Sequence, residues 1–218
     1  MLLIRPPGVY PPQGDTELLI SSLRREPLGP TSRVLDVGTG TGAVALAAAG
    51  SGARVTAVDL SGRAVAAAWL NTRLHRRRVR LRRGDLLRPV AGQRFDLITA
   101  NPPYVPVDDA ADAPGRGPAL AWDAGRDGRL VLDRICREAP RLLAPGGVLL
   151  IVQSSLADVP ATLTALRRSG LRASVAARRR QAFGPVMTAR AGLFERLGLI
   201  APGERAEDLA VVRGVRQR

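Results

Sequence analysis

The chain has 218 residues, 45% hydrophobic and 24% charged, enough for one compact domain with a sizeable core. No run approaches the roughly 20 apolar residues that cross a bilayer, Met1–Ile4 is too short for a signal peptide's apolar region, and Cys136 is the only cysteine. A membrane-spanning helix, a disulfide framework and a cysteine-built zinc site within one chain are thereby excluded, and the cytoplasm is the expected location. The formal charge of +14 and the pI of about 11.6 point toward nucleic acid. All 33 basic residues are arginine, however, and beside the abundant Ala, Gly and Pro this reads as a G- and C-rich codon bias, which dilutes the charge as a functional signal.

Residues 1–30 read as an entry segment and helix, and residues 31–218 as one α/β domain. Asp15 and Thr16 precede the apolar stretch Leu18–Leu23. They serve either as its helix N-cap or as residues beside a ligand, and both readings stay open. Arg33–Val37 is a short apolar strand ending at DVGTGTG, followed by a small-residue helix over Ala43–Ala49. Arg54–Val58 is a second strand closing on Asp59. Ser61 is placed to N-cap a helix through about Leu74, with Val65 and Trp69 on its apolar, core-facing side. Val79–Arg83 forms a third strand ending at Gly84-Asp85, and Phe95–Ala100 a fourth running into Asn101-Pro102-Pro103-Tyr104. After a Pro/Gly-rich loop, Gly128–Leu143 has helical periodicity, with Cys136 facing the core, and Ala144-Pro145-Gly146-Gly147 terminates it. Val148–Val152 is a fifth, fully buried strand; further elements run through Ala157–Ser169, Arg172–Ala177 and Asp208–Val212. Strands interleaved with helices imply a Rossmann-like, doubly wound, mostly parallel sheet covered on both faces.

In such sheets ligands bind beyond the carboxyl ends of the strands. Three predicted strands end there in a carboxylate: Asp36, Asp59 and Asp85. Gly38, Gly40 and Gly42 occupy the first strand-to-helix turn and let the backbone approach a ligand closely. Asp59 is spaced to accept both hydroxyls of a ribose, and Asp85 lies within reach of an adenine edge. The stretch Gly40–Ala45 also fits a looser dinucleotide pattern, and strand-end aspartates commonly cap helices. Asp36 separates these readings, because a carboxylate just before the glycines repels a pyrophosphate but suits a ligand carrying a free ammonium. S-adenosylmethionine is such a ligand.

The turn at 101–104 suits different chemistry. Two prolines give a stiff extended corner with exposed carbonyls. Asn101 and the Pro102 carbonyl can accept both N–H bonds of one planar –NH2 group, with Tyr104 against its π-face. Such a nitrogen is a weak nucleophile, and taking both hydrogens aims its lone pair at an electrophilic methyl. A tight structural turn is the plainer alternative. The motif does not separate a glutamine amide from an adenine, cytosine or guanine amino group.

DVGTGTG, the spaced Asp59 and Asp85, and NPPY together resemble the class I S-adenosylmethionine-dependent methyltransferases. More narrowly, the chain resembles the HemK family of protein-glutamine N5-methyltransferases. Val9-Tyr10-Pro11-Pro12-Gln13-Gly14-Asp15-Thr16 and Ala121-Trp122-Asp123-Ala124-Gly125-Arg126-Asp127-Gly128-Arg129 are similar to that family's short archaeal and eukaryotic branch. The resemblance implies the strand order 3-2-1-4-5-7-6 and S-adenosylmethionine as cofactor. It implies Asp15, Thr16, Asp36, Gly38, Gly40, Gly42, Asp59, Leu60, Asp85, Leu86 and Asn101 as the cofactor-facing residues. Asn101, Pro102, Pro103 and Tyr104 would hold the substrate, and Asn101, Pro102 and Tyr104 would act in catalysis; no metal is implied.

The acceptor it implies is a glutamine in a protein, namely the Gly-Gly-Gln motif of a translation release factor. A nucleic-acid amino group is the alternative, less favoured because no target-recognition region fits the length; a small-molecule acceptor is a third. Some short-branch relatives use a small activating subunit, and nothing in this sequence demonstrates one. Two departures stand out. About 30 residues precede the first strand, too few for the helical N-terminal domain of longer bacterial members, and Gly14 stands where the short branch usually has an acidic residue. Val105–Trp122 reads as a lid or a connector, and Asp108, Asp109 and Asp112 within it as solvated loop charge.

Overall fold

The computed structural model describes residues 1–107 and 122–217. The chain runs α1 (Gly14–Leu23), β1 (Arg33–Val37), α2 (Ala43–Gly50), β2 (Arg54–Asp59), α3 (Gly62–Leu74), β3 (Val79–Arg83) and β4 (Phe95–Ala100). It continues through α4 (Leu130–Glu138), β5 (Leu143–Ser154), α5 (Val159–Arg168), β6 (Leu171–Ala182), α6 (Pro185–Ala189), α7 (Ala191–Arg196) and β7 (Ala206–Arg216). The seven strands form one sheet in the order β3-β2-β1-β4-β5-β7-β6, as the resemblance implied. All neighbours are parallel except β7, which runs antiparallel to both β5 and β6. Among the described residues no helix is long and apolar enough to cross a membrane.

The sheet centre is dry because its strands are apolar on both faces. Leu35, Ile98, Leu149, Leu150, Ile151 and Val152 are fully buried. Helix α2 meets this surface through Ala45 and Ala48, whose small side chains allow close helix–sheet approach. Helix α3 does the same with Ala64, Ala67 and Ala68, and Ser61 caps it by accepting the Ala64 N–H. Trp69 is therefore not a core residue: it is 51% exposed, with the Arg73 guanidinium 5.5 Å from its ring centroid. An alanine-wide contact leaves no room for an indole, so the ring lies on the outer face. Cys136 is buried on α4 as expected.

The predicted helix over Gly128–Leu143 is shorter in the structure. It ends at Glu138 and tightens into a 3-10 turn over Ala139–Leu142, where Pro140 cannot donate to the helix ladder. Ala144–Gly147 does not lie outside the strand but within the first residues of β5. The β4–β5 register shifts there, from Phe95 opposite Leu143 to Leu97 opposite Val148. The last two strands are longer than their apolar cores suggested. β6 and β7 pair from Leu171–Arg216 out to Ala182–Ala206, which carries Gln181 and Glu207 to the ligand-facing edge.

One buried side chain holds the first glycine turn from behind. Asn71 of α3 donates through Nδ2 to the carbonyls of Thr41 and Ile4, both at 2.9 Å, and accepts the Ile4 N–H at 2.7 Å. It joins α3, the turn and the N-terminal segment at a point with no solvent exposure. Replacing Asn71 with Ala removes these bonds and leaves the buried Thr41 carbonyl without this partner. The expected loss is about 2–4 kcal/mol, read as a lower urea midpoint at unchanged slope.

Candidate active site

Beyond Val37 the chain turns through Gly38, Gly40 and Gly42 at φ of 69°, 54° and 84°, a region that favours glycine. The N–H groups of Gly38 and Thr39 both donate to the Val58 carbonyl, at 2.9 and 3.1 Å. Asp59 accepts the Gly40 N–H on Oδ2 and the Ser61 N–H on Oδ1, each at 2.8 Å, and so stitches the turn to the start of α3. A Cβ built on Gly40 would meet nothing within 4 Å, so its backbone is open to a ligand. Gly42 differs. Its Cβ would lie 3.2 Å from that of Ala68, so this glycine serves packing against α3 and does not line the cavity.

Asp36 is 2% exposed and accepts hydrogen bonds from Thr39 Oγ1 (2.7 Å) and Thr99 Oγ1 (2.9 Å). Burial pushes its pKa up to about 6, against the pull of both threonines. The Asp59 carboxyl is raised too, chiefly by burial and against its backbone donors. At the end of β3, Asp85 Oδ2 lies 2.6 Å from Arg134 Nη2 of α4, and Leu86 follows with φ of 47°.

The NPPY turn at the end of β4 is organised by one carboxylate. Asp15 Oδ2 accepts from Tyr10 Oη (3.0 Å), Tyr104 Oη (3.0 Å) and Asn101 Nδ2 (3.1 Å). Its Oδ1 accepts from the backbone N–H and hydroxyl of Thr16, and Asn101 Nδ2 also reaches Thr16 Oγ1 at 3.3 Å. Both tyrosine hydroxyls have raised pKa values, through burial first and then the Asp15 charge, so both stay protonated donors. Gln13 occupies the N-cap position of α1 without a side-chain capping bond, so Asp15 and Thr16 lie inside the first turn. With Nδ2 held by two acceptors, the orientation of the Asn101 amide is determined. No donor among the described residues is bonded to its Oδ1.

The segment after the loop braces this turn. Val105 N–H donates to the Trp122 carbonyl and Ala124 N–H to the Val105 carbonyl, at 2.9 and 3.1 Å. Gly128, at φ of 71°, lies so close that a Cβ would sit 2.4 Å from the Tyr104 carbonyl oxygen. Buried Arg129 then ties the brace to the β5–α5 connection, donating to the Ala157 and Asp158 carbonyls and pairing with Asp133 at 2.6 Å. Most of Val105–Trp122, including Asp108, Asp109 and Asp112, lies outside the described residues.

One cavity of about 220 Å³ joins the glycine turn to the NPPY corner. Asp15, Thr16, Asp36, Gly38, Gly40, Asp59, Leu60, Asp85 and Leu86 line it together with Asn101, Pro102, Pro103 and Tyr104. Six carboxylates face it, those of Asp15, Asp36, Asp59, Asp85, Asp123 and Glu207, with Arg134 as the cation among its described lining residues. Arg134, Gln181 and Glu207 were not anticipated. They come from a helix and two strands remote in sequence, and the only trace is a glutamate just ahead of the apolar run Leu209–Val212.

Comparison with known proteins agrees with this geometry. The family described as Methyltransferase small domain matches residues 3–113. A Methanocaldococcus jannaschii protein provisionally named protein N5-glutamine methyltransferase is 36% identical over 184 residues, 83% of this chain and 90% of the relative. The release factor glutamine methyltransferase of Geobacter sulfurreducens is 41% identical over 152 residues, 66% of this chain but 53% of that longer protein. Among solved structures, the E. cuniculi Mtq2–Trm112 complex responsible for methylation of the eRF1 translation termination factor aligns with a TM-score of 0.66 and 25% identity. That alignment covers 96% of this chain and 99% of the matched one.

Two consequences of the geometry can be measured on the protein alone. Because the Asp36 pKa is raised from 3.8 to about 6, its linked stability is fully present below pH 3.8 and is lost as pH rises through about 6. Asp36→Asn is therefore expected to stabilise the fold at pH 8, by an amount on the order of 3 kcal/mol at most, and to give no gain at pH 4. Chemical denaturation at the two pH values reads the difference. Gly128→Ala forces a side chain against the Tyr104 carbonyl and is expected to lower the thermal midpoint by several degrees, equivalent to roughly 1–3 kcal/mol.

Proposed function

The chain belongs to the protein-glutamine N5-methyltransferases within the methyltransferase small-domain family, and on that footing we propose that it methylates the side-chain amide of a protein glutamine, with S-adenosylmethionine as donor. The residues present fit that donor. Asp36 offers a buried carboxylate to its ammonium, the open Gly38–Gly40 backbone accommodates its methionine portion, and Asp59 has lone pairs left for the ribose hydroxyls. Asp85 Oδ1 and the Leu86 backbone then face the adenine edge, with Leu60 alongside. When bound, the cofactor supplies a methyl group made electrophilic by its sulfonium.

The observation that carries the acceptor assignment is the fixed orientation of Asn101. Asp15 and Thr16 hold its Nδ2, which leaves Oδ1 of this cavity-lining residue as the amide's available acceptor. Oδ1 and the Pro102 carbonyl then accept the two hydrogens of one amide nitrogen, and the Tyr104 ring bounds it on one side. Held this way, the nitrogen presents its lone pair to the methyl carbon. The new N–C bond forms as the S–C bond breaks, and the surplus proton leaves afterwards to water. Asp15, hydrogen-bonded behind Asn101, increases electron density on Oδ1 as positive charge develops on the nitrogen, so preorganised electrostatics replace a strong base.

A protein acceptor is favoured over nucleic acid by the charge at the cavity. Six carboxylates and one guanidinium attract a cationic donor and repel a phosphate backbone. The arginine runs lie elsewhere: Arg76–Arg78 precede β3 at one edge of the sheet, and Arg178–Arg180 lie in β6 at the other. Arg179 pairs with Glu17, and Arg180 with Glu204 and Asp208. The names of the relatives support a glutamine in a translation release factor as the target, and a cytoplasmic reaction goes with that reading.

The test is methyl transfer from labelled S-adenosylmethionine to a release factor bearing Gly-Gly-Gln, to its Gln-substituted form, and to DNA and RNA. Label on the first protein alone is the expected result; label confined to nucleic acid would overturn the assignment. In the same assay Asn101→Ala is expected to lower kcat roughly 100- to 1000-fold, with cofactor Kd unchanged within a few-fold.

A further inference from the structure

Among the described residues that line the cavity, Arg134 carries the only positive charge, and neither the donor contacts nor the methyl transfer uses it. It stands on α4 with Val131 one turn before it on the same face, and both line the cavity. The helix is a firm base: Leu132 and Ile135 are fully buried, and Arg129 ties its start to the β5–α5 connection. Arg134 Nη2 donates to Asp85 Oδ2 at 2.6 Å, and Arg88 Nε lies 3.6 Å from the same oxygen. A guanidinium can grip both oxygens of a carboxylate side by side, but here both cations lie on one. Asp85 Oδ1 has no donor bonded to it among the described residues. It is not sealed off, since the partly exposed Asp85 side chain lines the cavity.

Stability does not account for this pair. The two side chains are 26% and 27% exposed, and ion pairs so placed contribute little. Attraction of a cationic donor does not account for it either, because the guanidinium offsets the Asp85 charge. What remains is direction. Asp85 follows β3 at a turn where Leu86 has φ of 47°, a left-handed conformation that a leucine seldom adopts, so the backbone here is held against its local preference. The 6-amino group of a purine is an uncharged donor that needs one acceptor at one angle. A carboxylate free to turn would also accept the N1–H of a 6-oxo purine. One pinned through its other oxygen cannot follow the donor to that new position.

Resting on the S-adenosylmethionine assignment above, we propose that Arg134 is a positioning residue that pins Asp85 Oδ2 and leaves Oδ1 as acceptor for the adenine 6-amino group, so that the site takes an adenosyl donor and rejects its 6-oxo, inosyl counterpart. Arg134 takes no part in the bond changes. Because a guanidinium only donates, it also decides what an amide at position 85 would do. In Asp85→Asn the carbonyl oxygen must turn to Arg134 and the Nδ2 hydrogens to the base, which is the arrangement a 6-oxo purine prefers.

Calorimetric titration of the full chain with S-adenosylhomocysteine and with S-inosylhomocysteine tests this without any acceptor or turnover. The wild-type protein is expected to favour the adenosyl ligand by on the order of 100-fold. Arg134→Met should cut that preference roughly tenfold, and Arg134→Lys, which keeps a donor on a flexible stem, should restore part of it. Asp85→Asn should favour the inosyl ligand instead, and adding Arg134→Met should erase that inversion, because the amide then turns freely. The inversion is read with Arg134 in place, so it stands as a test even where Arg134→Met fails to fold. A merely structural Arg134 would lower the thermal midpoint or weaken both ligands alike, with the preference unchanged. That result, or an Asp85→Asn protein that still favours the adenosyl ligand, would overturn the inference while leaving the glutamine assignment intact. Wild-type protein that binds neither ligand would remove the donor assignment as well.

Discussion

A carboxylate paired with no cation among the described residues organises the reacting end of this protein. Asp15 is 1% exposed and receives neutral donors: two phenols and one carboxamide on Oδ2, and the Thr16 backbone and hydroxyl on Oδ1. Burying a charge this deeply is costly unless every lone pair is used, and here the donors come from three separate stretches, the entry segment, α1 and the end of β4. Satisfying Asp15 therefore fixes where those stretches meet. It also settles which way Asn101 points, because rotating the amide by half a turn would set its oxygen against the carboxylate. The same contact that closes the core decides the direction of an acceptor atom in the cavity.

The two halves of the cavity place negative charge for different reasons. Asp36, Asp59 and Asp85 follow from topology, since parallel strands release their carboxyl ends at one edge of the sheet. Asp15 and Glu207 reach the same space from α1 and from the antiparallel strand β7. In a chain of net charge +14, this concentration of acids contrasts with an arginine-rich exterior. A sulfonium donor and a nitrogen gaining positive charge during transfer are both stabilised by such a lining. An incoming phosphate is not. The global charge thus says little about the substrate, and the local charge says a good deal.

The central sheet was legible because buried parallel strands are short, apolar and punctuated. β1, β3 and β4 have the bounds their sequence suggests, and Asp36 of β1, Asp85 after β3 and Asn101 after β4 line the cavity at the ligand-facing edge. Legibility failed where local pattern and tertiary packing diverge. Trp69 has helical spacing for the core but is displaced outward by an alanine-lined contact, and Ala144–Gly147 has the composition of a turn but is absorbed into β5. The ends of β6 and β7 could not be seen, since outside their apolar centres they are edge-proximal, polar and rich in arginine. Gln181 and Glu207 went with them, and Arg134 was passed over within a predicted helix: each is an ordinary polar residue whose significance is created by three-dimensional neighbours. Asp15 sits between these cases. Its place beside the site was visible from the entry motif, whereas its command of Asn101 was not.

Gly14 connects the sequence departure with the geometry at β6 and β7. Where the short branch usually has an acidic residue, this chain has none, and a Cβ there would lie 2.1 Å from Gln181 Oε1. A side chain at position 14 and Gln181 in its present rotamer cannot occupy the same space. Gln181 in turn supplies the hydrogen bond that orients Glu207. The missing side chain thus leaves room for the Gln181 amide where it stands beside its register partner Glu207. A larger residue at 14 would require Gln181 Oε1, the free end of a flexible side chain, to move. The entry segment therefore acts on the acceptor corner through the side chain of Asp15, which holds Asn101.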